Sequence, residues 1–140
     1  MSRSLDDVTM DEWTRASRRV LGLDKPKPAP ASETDIMKLA MIELSRRGHV
    51  VFRANVGLFY TKDGRPQKTG LPVGFPDTFG SRHPDNAFFA VEFKKPGGRL
   101  RPEQRTTLNA LRARGIRAGV AYSIEDAIRI VESDAISAPL

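Results

Sequence analysis

Apolar positions recur at helical spacing over residues 32–47. At about 100° per residue, Met37, Ala40, Met41 and Leu44 fall on one side, and Thr34, Asp35, Lys38, Ser45 and Arg46 on the other. Ser32 is a suitable N-cap with Asp35 at N3, and Gly48 follows the last turn. The run His49-Val50-Val51-Phe52-Arg53-Ala54 reads as a strand, which Leu58-Phe59-Tyr60-Thr61 extends. Residues 62–72 are polar and punctuated by Gly and Pro, the pattern of a loop. Gly74-Phe75-Pro76-Asp77 leads into a short strand at Thr78-Phe79-Gly80, and His83-Pro84-Asp85-Asn86 is a turn. The clearest strand is Phe88–Lys94, broken by Pro96-Gly97-Gly98. Pro102 then opens a helix that runs to Arg114 and is closed by Gly115. Arg117–Tyr122 reads as a further strand. Ser123 caps a last helix, with Asp126 at N3, ending near Glu132.

The order is helix, three strands, helix, strand, helix. A short turn between the second and third strands makes them antiparallel. The helix at 102–114 gives enough chain for a right-handed parallel crossover to the last strand. The predicted class is α/β, a mixed sheet flanked by helices. Residues 1–30 stand apart. Thr9-x-x-Glu12 is a capping-box signal for a short helix through about Leu21. Lys25-Pro26-Lys27-Pro28-Ala29-Pro30 favours extended polyproline II and reads as a linker. The expected division is an accessory segment and linker at 1–30, one domain at 31–135 and a tail at 136–140.

Composition narrows the chemistry. The chain has 140 residues, 39% hydrophobic and 29% charged, as suits a globular domain. It has no cysteine, which removes disulfides, thiolate metal sites and Cys nucleophiles. The two histidines, His49 and His83, are too far apart in sequence for a short metal-binding pair. No apolar run approaches the ~20 residues of a membrane span. The opening MSRSLDDVTM lacks the hydrophobic segment of a signal peptide, so a cytoplasmic location is expected. A formal charge of +6 and a pI near 10.1 favour a polyanionic partner, nucleic acid before membrane.

Four polar residues sit where the pattern calls for something else. Glu33 lies at the middle of the apolar stripe of the first helix, in its first turn. A carboxylate there also gains from the helix dipole. Glu43, at the stripe's flank, is ordinary, because Arg47 lies four residues on. Gln104 shares a helical face with Leu108 and Leu111, although a Gln at N3 also caps its own helix. Glu92 and Lys94 alternate with Phe89, Val91 and Phe93 on a strand that reads as buried on both sides. A buried carboxylate needs a partner, so Glu92 pairs with Lys94, with a cation, or with both, unless the strand end emerges into solvent. Asp77 follows Pro76, as turn aspartates often do, but it stands on the strand expected to pair with the Glu92 strand.

Two carboxylates side by side repel unless a proton or cation lies between them. With no Cys and no His pair, the available ligands are oxygens, which select Mg²⁺ or Mn²⁺. Asp77, Glu92, the Phe93 backbone carbonyl and Glu33 are the candidate ligands. Lys94 can neutralise charge developing on a phosphoryl group and help ionise the attacking water. Gln104 can orient that water or hold a phosphate oxygen. The set suits in-line hydrolysis of a phosphodiester. There is no nucleophile elbow and no phosphate-binding Gly-x4-Gly-Lys-[Ser/Thr] loop.

At these residues the chain resembles the PD-(D/E)-x-K nuclease superfamily, and within it the VRR-Nuc family in its small stand-alone phage and bacterial form. Glu33, Gly74-Phe75-Pro76-Asp77, Glu92-Phe93-Lys94 and Gln104 carry the resemblance. So do the Glu-x-Lys-Lys-Pro end of the strand, Gly-Arg-Leu-x-Pro-Glu-Gln at 98–104 and Phe-Arg-Ala-Asn at 52–55. It covers about Ser32 to Glu132. It implies a restriction-endonuclease-like αβββαβ core, Mg²⁺ at the strand carboxylates, junction-resolving endonuclease activity on branched (Holliday junction) DNA, a homodimer, and a bacterial or phage-infected cytoplasm.

Two basic clusters can flank such a site, Lys62, Arg65 and Lys68 before Asp77, and Lys95, Arg99, Arg101 and Arg105 after Glu92. Few aromatic residues interleave with them, so backbone or shape recognition is expected rather than base stacking. The rival readings are a non-catalytic nucleic-acid-binding module on this fold, a non-specific nicking nuclease, and an RNase.

Overall fold

The computed structural model describes Thr9, Glu12, Arg15, residues 32–135 and residues 137–140. Local capping sets the first helix, α1 (Glu33–Arg46): the Ser32 hydroxyl accepts from the Asp35 amide at 3.2 Å. Its buried stripe is Ile36, Met37, Ala40 and Leu44. Arg47 and Glu43 pair at 3.2 Å, as their spacing predicts.

The chain then forms β1 (Val50–Arg53), β2 (Leu58–Tyr60) and β3 (Pro66–Lys68), followed by β4 (Thr78–Ser81) and β5 (Phe88–Phe93). The expectation for 58–72 needs correction. Leu58–Tyr60 does not extend β1, and 66–68 is not loop: β2 and β3 pair as a separate antiparallel hairpin, Leu58 opposite Lys68. Gly57, at φ 107°, turns the chain away from β1. The Thr61 hydroxyl accepts from the Arg65 amide at 3.1 Å, and Gly57 and Thr69 close the base through a backbone bond of 2.9 Å.

Next come α2 (Pro102–Ala113), β6 (Arg117–Ala121) and α3 (Ile124–Glu132), the last capped by Ser123, whose hydroxyl accepts from the Asp126 amide at 3.1 Å. The main sheet runs β1-β4-β5-β6. The first three strands are antiparallel and β6 is parallel to β5, so the predicted mixed sheet forms with the predicted pairings. Phe89, Val91 and Phe93 pack on α1 and α3 in a core with Leu44, Ala127 and Val131. Burying each large side chain there stabilises by roughly 1.5–3 kcal/mol. The opposite face meets α2 at β6.

Near the N-terminus, Thr9 and Glu12 form the expected reciprocal cap, with amide-to-side-chain bonds of 3.0 and 3.2 Å. Glu12 and Arg15 are helical; the other residues of the expected 1–30 helix and linker lie outside the described residues.

Candidate active site

β4 and β5 position the two central carboxylates. Thr78 lies opposite Val91, so the next step in that register sets Asp77 beside Glu92. The two strand ends interlock: the Phe93 amide donates to Asp77 Oδ2 at 2.8 Å, and the Asp77 amide donates to Glu92 Oε2 at 3.2 Å. Asp77 Oδ1 accepts no hydrogen bond from the described residues, and Asp77 lines a cavity.

Glu92 is 2% exposed, which excludes a strand end emerging into solvent. Its Oε1 accepts from Gln104 Nε2 at 2.7 Å and faces Lys94 Nζ at 3.5 Å. Lys94 is itself buried. Gln104 also caps α2 as its position predicts, its Oε1 accepting from the Arg101 amide at 2.9 Å.

A close backbone approach brings Gln104 here. Gly74 sits at φ 89°, and a Cβ on it would lie 2.5 Å from the Glu103 carbonyl oxygen. Only glycine lets the loop before Asp77 meet the first turn of α2 so closely. Gly98 is less tightly placed: a Cβ there would lie 3.0 Å from the Lys95 carbonyl oxygen, 3.2 Å from Lys94 Cβ and 3.6 Å from Glu33 Oε1.

The electrostatics follow from burial. Desolvation first, and the Asp77 charge second, raise the Glu92 carboxyl to about 7, against the pull of Lys94. Desolvation also raises Asp77, opposed by the Phe93 amide and the Lys94 charge; Glu33 raises it further and Arg53 lowers it. Two adjacent carboxylates, both strained against ionisation, form an oxygen-only donor set that a hard divalent cation would relieve. Glu33 borders the same cavity as Asp77. It does not close a cage: among the described residues no three His, Cys, Asp or Glu side chains are grouped to hold a metal ion.

The cavity, of about 630 Å³, lies between the start of α1, the end of β1 and the hairpin. Beside Glu33 and Asp77 it is lined by Arg53, Asn55, Val56, Leu58, Phe59 and Thr69. None of these six was singled out individually from the sequence, although Arg53 and Asn55 belong to the Phe-Arg-Ala-Asn stretch. Polar residues at a strand end look like solvated surface until the fold places them.

The basic residues of the two predicted clusters are all exposed. Lys62, Arg65 and Lys68 ride on the hairpin, where Arg65 pairs with Asp63 at 2.7 Å. Lys95, Arg99, Arg101 and Arg105 run from the end of β5 into the first turn of α2, next to Lys94 and Gln104. The scarcity of aromatics among these charges does not hold in space. Phe59 and Tyr60 stand 53% and 67% exposed on the same hairpin.

Residues 64–125 match the VRR-NUC domain, a nuclease-type domain, and this span contains Asp77, Glu92, Lys94 and Gln104 but not Glu33. Neither the curated proteins nor the solved structures gave a match. No helix among the described residues is long and apolar enough to cross a membrane.

Proposed function

With the VRR-NUC match over residues 64–125 as premise, we propose that this chain is a Mg²⁺- or Mn²⁺-dependent endodeoxyribonuclease, acting as a homodimer on branched or four-way-junction DNA with little sequence preference. One observation carries the reading: Asp77 and Glu92 interlock at adjacent strand ends, with Lys94 and Gln104 on the same carboxylate, beside a cavity. A structural ion pair needs no second carboxylate and no adjoining cavity.

Asp77 and Glu92 would hold the cation, with the Phe93 carbonyl and Glu33 able to add oxygen ligands directly or through water. The bound cation supplies Lewis-acid activation of water and phosphate. The other groups act around it. Lys94 places a buried ammonium where negative charge grows on the phosphoryl oxygens. Gln104, fixed by its own helix cap, has an amide aimed at Glu92 and holds that carboxylate in one orientation. The exposed arginines at 99–105 grip the DNA backbone on one side, and the hairpin lysines do so on the other.

The test compares four-way junctions, flaps, plain duplex and single strands, each with Mg²⁺ and with a chelator. Junction cleavage that stops in chelator and in Asp77→Asn is expected. Chelator-insensitive cleavage would overturn the mechanism. Binding without any cleavage would favour the non-catalytic module, and sedimentation reads the dimer directly.

A further inference from the structure

We propose that the hairpin side of the cavity is a subsite for an unpaired nucleobase adjacent to the scissile phosphate. The position of that phosphate rests on the nuclease reading above; the base site itself rests on the lining.

A cavity built only for a phosphodiester would be lined by cations and N–H donors. This one joins the carboxylates of Glu33 and Asp77 to apolar side chains, with Val56, Leu58 and Phe59 as its wall at the hairpin. Its volume of about 630 Å³ falls within the usual range for small-molecule sites, about 300–1,000 Å³. Phe59 is 53% exposed although it is an aromatic side chain beside a pocket, so part of its surface is free for contact. Polar atoms stand at hand to read a base edge. Asn55 makes no side-chain hydrogen bond with the described residues. The Thr69 hydroxyl accepts from the Gly57 amide at 3.1 Å and keeps its own proton to donate. Lys62 and Lys68 on the same hairpin supply charge for the flanking phosphates.

An apolar ring, adaptable polar groups and nearby cations are the elements by which proteins hold unstacked bases. A paired base cannot reach the wall without leaving its stack, which costs a few kcal/mol in duplex and least at a junction, gap or flap. The subsite therefore gives a physical source for structure selectivity: DNA whose bases are already unpaired at the cut is favoured.

Binding is measured with a single-stranded 12-mer carrying 2-aminopurine, and with the same strand in a perfect duplex, in Ca²⁺. Wild-type protein is expected to bind the single strand at least tenfold tighter and to quench the probe. Phe59→Ala should lose about tenfold in that affinity, while Phe59→Tyr stays within twofold of wild type. Equal affinity for single strand and duplex, or Phe59→Ala within twofold of wild type, would overturn the subsite. Plasmid cleavage in Mg²⁺ is scored separately. The expected binding pattern without cleavage keeps the base site and sinks the nuclease reading; cleavage without the pattern does the reverse.

Discussion

Two carboxylates, at opposite ends of the main sheet, each face a basic side chain, and their surroundings push them in opposite directions. Glu92 is buried beside Asp77 and Lys94, and its carboxyl is raised to about 7. Glu132, at the end of α3, accepts from His49 and pairs with Arg47 at 3.1 Å, yet it remains half-exposed, and its carboxyl is lowered. Partner count does not separate them. Water and a second carboxylate do. At the Glu132 end, the His49 hydrogen bond first and the Arg47 charge after it outweigh desolvation. At the Glu92 end, desolvation and the Asp77 charge outweigh one ammonium. A cation next to a carboxylate therefore favours the ionised form in one setting and fails to offset burial in the other.

The largest effect should come from breaking the buried end. Asp77→Asn and Lys94→Ala are each expected to reduce Mg²⁺-dependent cleavage by at least about 10³-fold while DNA binding persists. Wild-type rates in either variant would leave Glu92 as merely a buried ion pair.

Next is the pH dependence of stability without divalent metal. The folded Glu92 carboxyl, raised to about 7 from the usual 4.5, binds its proton more tightly than in the unfolded chain. That stabilisation is full below about pH 4.5 and fades as pH rises to about 7, at most about 3 kcal/mol and reduced by solvent screening. Calorimetry in EDTA should show Tm falling across this window, and Asp77→Asn should flatten the fall. A Tm that climbs over the same window would show Glu92 ionised in the fold and erase the contrast with Glu132.

Exposed cations should matter less than the buried one. Arg99→Ala and Arg101→Ala should each weaken DNA binding about fivefold and lower the salt slope by about one. A loss of cleavage with unchanged binding would move these arginines from grip to chemistry.

The smallest effect belongs to the exposed end. Glu132→Gln is expected to cost under about 1 kcal/mol at neutral pH. Because the Glu132 carboxyl is lowered in the fold, its contribution is present above about pH 4.5 and lost below it. The difference from wild type in urea unfolding should shrink as pH falls below that value.

Much of this contrast can be read from residue order, where the determining forces are local. Ser32 and Asp35 cap α1, and the apolar alternation of Phe89, Val91 and Phe93 marks β5 as buried, which forces a partner onto Glu92. Glu33 stands out because helical periodicity places it among apolar residues. The hairpin is different. Its strands, at 58–60 and 66–68, are exposed along their length. No burial pattern distinguishes them from loop; backbone bonds and the hydroxyls of Thr61 and Thr69 hold them. The cavity is harder still, because Arg53, Asn55, Phe59 and Thr69 come from separate segments that meet only once that hairpin folds back.

The contact of Gly74 with Glu103 has a bearing on engineering this domain. Since the Asp77 loop and the start of α2 touch backbone to backbone, any insertion between residues 74 and 77, or graft of a foreign helix at 102, would shift Asp77 and Gln104 together. The hairpin tip at Asp63-Gly64 is bonded only within its own turn, and a Cβ on Gly64 would meet nothing within 4 Å, so a label or an extra peptide spliced in there is expected to leave both in place.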